Sequence, residues 1–232
     1  MAQNIRILST KTLLSNQKQF LLNANLSVVE ADFIETKSLP ILANAQINEA
    51  LIFTSQNAVL SVLKNENNSF LKDKFCFCVG IKTKHLLEEN GFKVEKSFEY
   101  AEDLVVFLVE NHFDKEFTFF SGNLRKDTIP TAFQKNNIIF EEIEVYKTVL
   151  TPHKIDNQFD GILFFSPSAV QSYLKENNIS NEVCFCIGTT TAAEIKKDIK
   201  NIVIANQPTV ENVIIQCINY FKNPISDKIL SV

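Results

Sequence analysis

The chain has 232 residues, of which 45% are hydrophobic and 22% are charged, proportions that are typical of a soluble globular protein. Its formal net charge is −4 and its arginines are Arg6 and Arg125, which argues against nucleic acid as the main partner because that binding needs clustered basic residues. Since no stretch approaches the roughly 18 apolar residues of a membrane span and the start lacks a signal-peptide pattern, we expect a cytosolic protein without a membrane partner.

Short runs rich in Ile, Val and Phe alternate with helix-length segments along the chain. The predicted strands are Ile5–Ser9, Val28–Ile34, Leu51–Thr54, Phe75–Val79, Phe117–Phe120, Ile138–Tyr146, Gly161–Phe165, Val183–Ile187 and Ile202–Ala205. The predicted helices are Thr12–Asn23, Gln56–Glu66, Lys82–Asn90, Ala101–His112, Asp127–Asn136, Ser168–Asn177, Thr190–Lys197 and Thr209–Phe221. Polar loops are expected at Lys37–Asn48 and Thr151–Phe159. This alternation predicts an α/β fold with parallel sheets.

Two segments of the first half recur in the second half. ALIFTSQNAVLSVLKNEN (Ala50–Asn67) returns as GILFFSPSAVQSYLKENN (Gly161–Asn178) with 8 of 18 positions identical. FCFCVGIKT (Phe75–Thr83) returns as VCFCIGTTT (Val183–Thr191) with 5 of 9 identical. A weaker copy links the segments that start at Ile5 and Phe33 to those that start at Phe117 and Val145. The repeat predicts two similar α/β units, with a ligand cleft between them.

Two divisions into domains fit this repeat. A cut at the middle gives residues 1–115 and 116–232. Alternatively, the chain leaves the first domain after Phe33, builds the second from about residue 39 to 147, and then returns. The two crossings would then run in opposite directions and could pair as a two-stranded hinge. Periodicity alone does not choose between these divisions.

The cysteines and histidines do not indicate a metal or a nucleophilic site. Two cysteine pairs lie at i and i+2 in predicted strands, so each pair shares one face and is predicted to pack in the core. Neither pair forms the C-x-x-C knuckle of a zinc site, and no histidine stands beside a serine or cysteine nucleophile. These residues are Cys76, Cys78, Cys184, Cys186 and the lone Cys217, with His85, His112 and His153.

Each predicted strand ends in a small polar turn that leads into a helix. The turns are LSTKT, FTSQN, VGIKT, FSGNLRKD, FSPS and IGTTT. Ligands of parallel α/β sheets bind beyond these strand ends, where free N–H groups at helix starts favour carboxylate or phosphate. Gly80 and Gly188 would allow close approach of a ligand, and the predicted caps are Ser55, Thr83, Ser166 and Thr191. Taken singly, each hydroxyl is explained by capping, whereas six turns in register indicate a ligand with many anionic arms.

The two copies differ at a few positions, and these are the sharper candidates for function. Tyr146 stands where the other copy has Ile34. The turn residues Gly122, Asn123 and Arg125 replace Thr10, Lys11 and Leu13. A phenol at this crossing is predicted to face the cleft, although a half-buried sheet tyrosine with a wet hydroxyl is an equally ordinary role.

The motifs taken together resemble the uroporphyrinogen-III synthase family. They are IFTSQNAV, the VG-x-x-T turn, FFSGNLRKDTIP, EVYKT, FFSPSAV, IGTTTA and QPTVENVI, in the family's order over nearly the whole chain. The resemblance implies two flavodoxin-like parallel-sheet domains that are joined by a two-stranded antiparallel linker. It favours a discontinuous domain 1 of residues 1–35 and 149–232, an inserted domain 2 of residues 39–146, and linkers at about 33–38 and 145–150.

The resemblance also implies an activity. It points to a monomeric lyase of haem and porphyrin biosynthesis, without cofactor or metal, that closes hydroxymethylbilane, a linear tetrapyrrole, to uroporphyrinogen III with inversion of ring D and loss of water. Tyr146 is then the expected catalytic residue. The expected substrate contacts are Thr54, Ser55, Gln56, Asn57, Gly80, Lys82, Thr83, Ser121, Gly122, Asn123, Ser166, Pro167, Ser168, Gly188, Thr189, Thr190, Thr191 and Thr209.

Two other classes of function compete with this one. A two-domain protein that binds a polyanionic small molecule without chemistry would close on its ligand and show no turnover. A regulatory or interaction module would expose a large apolar patch and lack an anion site.

Overall fold

The computed structural model describes residues 5–65, 69–195 and 199–222. The strands are β1 (Arg6–Ser9), β2 (Ser27–Glu30), β3 (Ile34–Ser38), β4 (Ala50–Phe53), β5 (Phe75–Val79), β6 (Lys93–Phe98), β7 (Phe117–Gly122), β8 (Phe140–Leu150), β9 (Gly161–Phe164), β10 (Val183–Cys186) and β11 (Ile202–Ile204). The α-helices are α1 (Ser15–Asn23), α2 (Gln56–Leu63), α3 (Ile81–Glu89), α4 (Ala101–Asn111), α5 (Thr128–Lys135), α6 (Pro167–Glu176), α7 (Thr189–Ala192) and α8 (Val210–Lys222), and Ser69–Asp73 forms a 3-10 helix. The predicted helix ends at Glu66 and Lys197 lie outside the described residues.

The chain divides into two compact units. Unit 1 contains the described residues up to Glu35 and those from Leu150 onward, whereas unit 2 is the continuous segment Thr36–Val149. Unit 1 holds a five-stranded sheet in the order β2-β1-β9-β10-β11, and its neighbouring strands are parallel. Unit 2 repeats this as β8-β7-β4-β5-β6, again parallel, with β3 added beside β8. The α/β class with parallel sheets is therefore confirmed. Counted along the chain, the strand order of unit 1 is the doubly wound 2-1-3-4-5, and that of the parallel strands of unit 2 is its circular permutation 5-4-1-2-3.

The prediction of a single strand over Val28–Ile34 is wrong. The chain forms two strands there, and they belong to different sheets: β2 to the sheet of unit 1 and β3 to that of unit 2. Two backbone hydrogen bonds bracket β3, from Leu39 N to Val145 O at 2.7 Å and from Thr151 N to Phe33 O at 3.0 Å. Residue numbers rise from 33 to 39 along β3 while those of the partners fall from 151 to 145, so β3 runs antiparallel to β8.

Apolar strands carry the core of each unit. Every residue of β4, β9 and β10 is buried, as expected for parallel strands that are covered on both faces. All five cysteines are buried and free, which confirms the assignment of the two pairs, Cys76 with Cys78 and Cys184 with Cys186, to the core. Burial raises the pKa of the thiols, to about 12 for Cys184 and about 11 for Cys78.

Strand β6 was not predicted. Its sequence, KVEKSF, is half charged, which is ordinary for a strand at the edge of a sheet, where one side faces water. The repeat could have predicted this strand, because β6 corresponds to β11 in the other copy and β11 was predicted. Gly91 follows α3 with φ of +83°, a left-handed conformation that suits a glycine at the end of a helix.

Candidate active site

The strand order of unit 2 reverses between β7 and β4. Doubly wound sheets bind their ligands beyond the carboxyl ends of the strands at such a switch point. Thr54 and Ser55 follow β4 here, β7 ends at Gly122, and β8 brings Tyr146 to the same edge. A pocket of about 360 Å³ opens at this edge. Its lining residues are Thr54, Ser55, Val79, Glu99, Tyr100, Ala101, Glu102, Phe119, Arg125, Lys126, Thr128, Ile129 and Tyr146.

The ring of Tyr146 lies across the end of β7. A β-bulge between Ser121 and Gly122 shifts the register, so that Ser121 pairs with Glu144 and Gly122 pairs with Tyr146. The ring occupies the space in which a Cβ of Gly122 would stand. The phenol reaches past β7 to the turn after β4, where its oxygen lies 3.1 Å from Ser55 Oγ. Tyr146 is therefore a partly buried pocket residue whose hydroxyl has a protein partner.

Ser55 is also the N-cap of α2. Its Oγ accepts a hydrogen bond from Ala58 N at 3.1 Å, as the sequence predicted. The amide N–H groups of Gln56 and Asn57 make no hydrogen bond within the described part of the chain. A helix start with free donors can receive an anion beside the phenol.

Arg125 holds the loop after β7 against β8. Its guanidinium donates from Nε to Glu142 Oε1 at 2.6 Å and from Nη2 to Oε2 at 2.9 Å, and it also contacts Asp127. The hydrogen bond from Arg125 lowers the pKa of the Glu142 carboxyl, against its burial, and a bond from Ser121 adds to this effect. We call this pair the Arg125–Glu142 clasp. Because both of its partners are carboxylates of the protein, Arg125 acts here as a brace for the loop.

Asn123 and Ser121 contribute to the same brace. The Asn123 amide accepts from Thr148 N at 2.8 Å and donates to Thr148 O at 3.2 Å. The Ser121 hydroxyl is buried and is directed to Glu142. The structure thus gives both side chains a protein partner in unit 2, and their contact with a ligand stays a prediction.

The pocket rim carries residues that sequence reasoning missed. Tyr100 is 59% exposed and stands immediately before α4, with Glu99 and Glu102 beside it. The negative charge of Glu99 raises the pKa of the Tyr100 phenol. The repeat offered a signal for this position, because Thr209 stands at the corresponding place before α8.

The turn after β5 lies at the same edge of this sheet. Gly80 has φ of +87°, a left-handed conformation that suits glycine, and it precedes the first residue of α3. Lys82 is exposed in the first turn of that helix. The backbone N–H groups of Ile81 and Lys82 have no hydrogen-bond partner among the described residues. This turn therefore presents free donors and an exposed cation.

Unit 1 carries the remaining predicted contacts at its own strand ends. Ser166 caps α6 by accepting from Ala169 N at 3.1 Å, with Pro167 as the next residue and Ser168 Oγ at 3.0 Å. Thr209 Oγ1 accepts from Asn212 N at 3.2 Å at the start of α8. The exposed residues Thr189 and Thr190 follow Gly188 at the start of α7. Polar turns thus line the carboxyl edge of this sheet as well.

Three expectations about these turns need correction. Thr83 and Thr191 are not caps, since both are buried on the third residue of their helices, and Thr191 Oγ1 has no partner among the described residues. The LSTKT turn is not open to an anion. Its Thr12 N–H donates to Asp32 Oδ1 at 2.7 Å, and the N–H of Leu13, the residue after the turn, donates to Glu30 Oε1 at 2.8 Å. The protein's own carboxylates therefore occupy these donors.

The described residues contain no group of three or more His, Cys, Asp or Glu side chains that could hold a metal ion. No helix within those ranges combines the length and hydropathy that a membrane crossing requires.

Comparison with known proteins places this architecture in a family. The family model for uroporphyrinogen-III synthase HemD matches residues 21–215. The uroporphyrinogen-III synthetase of Helicobacter pylori has a similar fold, with a TM-score of 0.71 at 19% identity over 94% of this chain and 99% of the other. A mutant uroporphyrinogen III synthase of Thermus thermophilus gives 0.63 at 12% identity over 94% and 99% of the two chains. No curated protein sequence matches significantly. The chain therefore belongs to the uroporphyrinogen-III synthase family.

Proposed function

We propose that this chain closes hydroxymethylbilane to uroporphyrinogen III. In this reaction the hydroxyl of the terminal hydroxymethyl group leaves as water, and the substituted α-carbon of ring D attacks the methylene of the resulting azafulvene. The bond from that carbon to its original bridge then breaks, the bridge re-forms at the unsubstituted α-carbon of ring D, and this carbon loses its proton, so that the ring is inverted. Membership of the family supports the reaction. The observation that carries the proposal within this chain is the phenol of Tyr146 at the switch point of unit 2.

Tyr146 is the proposed catalytic residue. Its hydroxyl can donate a hydrogen bond to the departing hydroxyl of the bilane or support the positive charge that develops on the azafulvene. The pyrrole nitrogen supplies the electron pair that expels the hydroxyl, so the protein has only to assist the leaving group and to orient the chain. Orientation accounts for most of the catalytic demand, since the free bilane closes by itself to the isomer in which ring D is not inverted.

The carboxylates of the bilane are proposed to be bound mainly by the backbone. Free N–H groups at Gln56, Asn57 and Lys82 in unit 2 and at Thr189 and Thr190 in unit 1 support this assignment. Because these receptors are local dipoles, a chain of net charge −4 can still bind a polyanion. The other predicted contacts at these turns stay proposals of the same kind.

The two units are proposed to be the two domains that the resemblance implies. Domain 2, residues 39–146, is inserted in a discontinuous domain 1, and the chain segments 33–38 and 145–150 link them. The pairing of β3 with β8 supports this division. We further propose that the bilane is bound by residues of both domains, that the protein is a monomer in the cytosol, and that it uses no cofactor.

An assay of the product isomers tests this function. The purified protein is given freshly made hydroxymethylbilane, and the uroporphyrinogens are oxidised and separated by chromatography. Isomer III is expected to dominate with the protein, whereas a sample without protein gives isomer I. Formation of isomer I alone at the uncatalysed rate would overturn the proposal and would favour a protein that binds without chemistry.

A further inference from the structure

We propose that Gly122 and Ser55 are positioning residues for the Tyr146 phenol. Gly122 leaves the space that the ring needs, and Ser55 fixes the phenol oxygen by a hydrogen bond. The inference rests on the proposed function, because it gives these two residues a role in the reaction that acts through Tyr146. It replaces their expected role as substrate contacts.

Gly122 is where the ring must cross the sheet. Neighbouring strands lie about 4.8 Å apart, so a tyrosine on β8 has to pass over β7 to reach the turn that follows β4. Any side chain on β7 at the crossing point would block this path, and a Cβ on Gly122 would fall within the ring of Tyr146. The β-bulge places the glycine and the tyrosine side by side; without it, Val145 would be opposite Gly122.

Ser55 is a well-anchored partner for the phenol. Its Oγ is held by the first turn of α2 through the bond from Ala58 N, and α2 is packed on the core through Ala58, Val59 and Val62, which are at most 1% exposed. One lone pair of Oγ is used by this cap. Ser55 can therefore donate its own hydrogen to the phenol oxygen, which leaves the phenol proton free for the departing hydroxyl of the substrate.

The first copy of the repeat has neither the glycine nor the tyrosine. Thr10 stands at the position of Gly122, and its hydroxyl bonds to Leu163 O at 2.7 Å across the corresponding strand pair. Ile34 stands at the position of Tyr146. The copy that has the tyrosine thus has the glycine, and the copy that has the isoleucine has a threonine at the glycine position. This pairing favours a joint role for Gly122 and Tyr146.

The test is a set of double-mutant cycles with the isomer assay as the readout. Ser55→Ala, Ser55→Thr and Gly122→Ala are each made in the wild type and in Tyr146→Phe, and kcat and KM are measured. We expect Ser55→Ala to lower kcat about tenfold, the effect of one hydrogen bond, with little change in KM. Ser55→Thr should keep most of the activity because it retains the hydroxyl, and Gly122→Ala should lower kcat at least as much as Ser55→Ala.

In the Tyr146→Phe enzyme, neither Ser55→Ala nor Gly122→Ala should lower kcat much further, because the hydroxyl that they position is already absent. Ser166→Ala, which also removes an N-cap, serves as the control for stability, and its fall in melting temperature should match that of Ser55→Ala.

Equal fold losses of kcat in both backgrounds, or a Ser55→Ala enzyme with wild-type kcat, would overturn the inference. If Gly122→Ala does not fold, the Ser55 variants decide the question. A wild-type protein that forms no isomer III refutes the proposed function instead, so the two failures are distinguishable.

Discussion

At the scale of the residue, the structure gives Tyr146 a defined place for its ring and a partner for its hydroxyl. These contacts fix where the phenol lies, and its part in the reaction stays a proposal. At the same scale, the paired cysteines are buried in the core, as their spacing in apolar strands predicted.

Replacing Tyr146 by Phe is expected to lower kcat about a hundredfold, the range of a general acid, while KM changes little. The ring would still fill the space over Gly122, so the fold should be unaffected. Initial rates of isomer III formation at saturating substrate measure this loss, and circular dichroism provides the control for folding. Wild-type turnover in this variant would remove Tyr146 from the mechanism.

The native thiols are expected to be unreactive. Burial raises the pKa of Cys76 and Cys186 to about 12, so the reactive thiolate is scarce at about pH 8 and a reagent also has no access. Titration with Ellman's reagent should find few or no reactive thiols in the native protein and all five in guanidinium chloride. Rapid modification of the native protein would show that the strands that carry them are exposed.

At the scale of the element, the loop after β7 and the strand β8 form one braced element. The Arg125–Glu142 clasp and the two hydrogen bonds of Asn123 fix the loop to β8. The β-bulge determines the register of β8, and with it the position of Tyr146. Removal of this brace should therefore affect stability and catalysis together.

Loss of the Arg125–Glu142 clasp at low pH should make the protein less stable in acid. The pKa of Glu142 is held below its ordinary value of 4.5 by Arg125, so its stabilising effect is full above that value and is lost as the pH falls through the lowered pKa. Glu142→Gln should cost about 1 kcal/mol at neutral pH, and this cost should shrink as the pH is lowered through the acid range. Thermal melts of both proteins across this range measure the difference, and a constant gap would contradict the assignment.

The elements also show how far the sequence could predict the structure. Buried apolar strands such as β4 and β10 stand out because both faces are covered, whereas the edge strand β6 resembles a polar loop. Tyr146 was identified because it breaks the repeat, but its contact with Gly122 depends on a bulge that periodicity does not show. The N–H groups at the LSTKT turn are bound by Glu30 and Asp32, which lie at the end of another strand. No sequence pattern near the turn predicts these hydrogen bonds.

At the scale of the whole molecule, the sequence repeat corresponds to two sheets in which the matching strands stand in the same order. Unit 2 lies between the two chain segments of unit 1, so only unit 2 is continuous along the chain. Its two hydrophobic clusters contain residues of unit 2 alone. We therefore expect this unit to fold by itself.

A fragment of residues 34–150, which keeps β3 and β8 intact, should unfold cooperatively on heating and should not form isomer III. Circular dichroism and the isomer assay measure the two properties. The matched control is Phe77→Ala in this fragment, which removes a fully buried ring and should lower its stability by about 3–5 kcal/mol. An unfolded fragment would show that the core of unit 2 depends on unit 1.

The most direct measurement of the central claim is the fraction of isomer III as a function of protein concentration at a fixed amount of hydroxymethylbilane. A bilane that is bound by the protein is converted to isomer III and does not close spontaneously to isomer I. The account therefore predicts that the fraction of isomer III rises from near zero toward one as the protein concentration is increased. A fraction that stays at the uncatalysed level at every concentration would contradict the claim that this chain directs the ring closure.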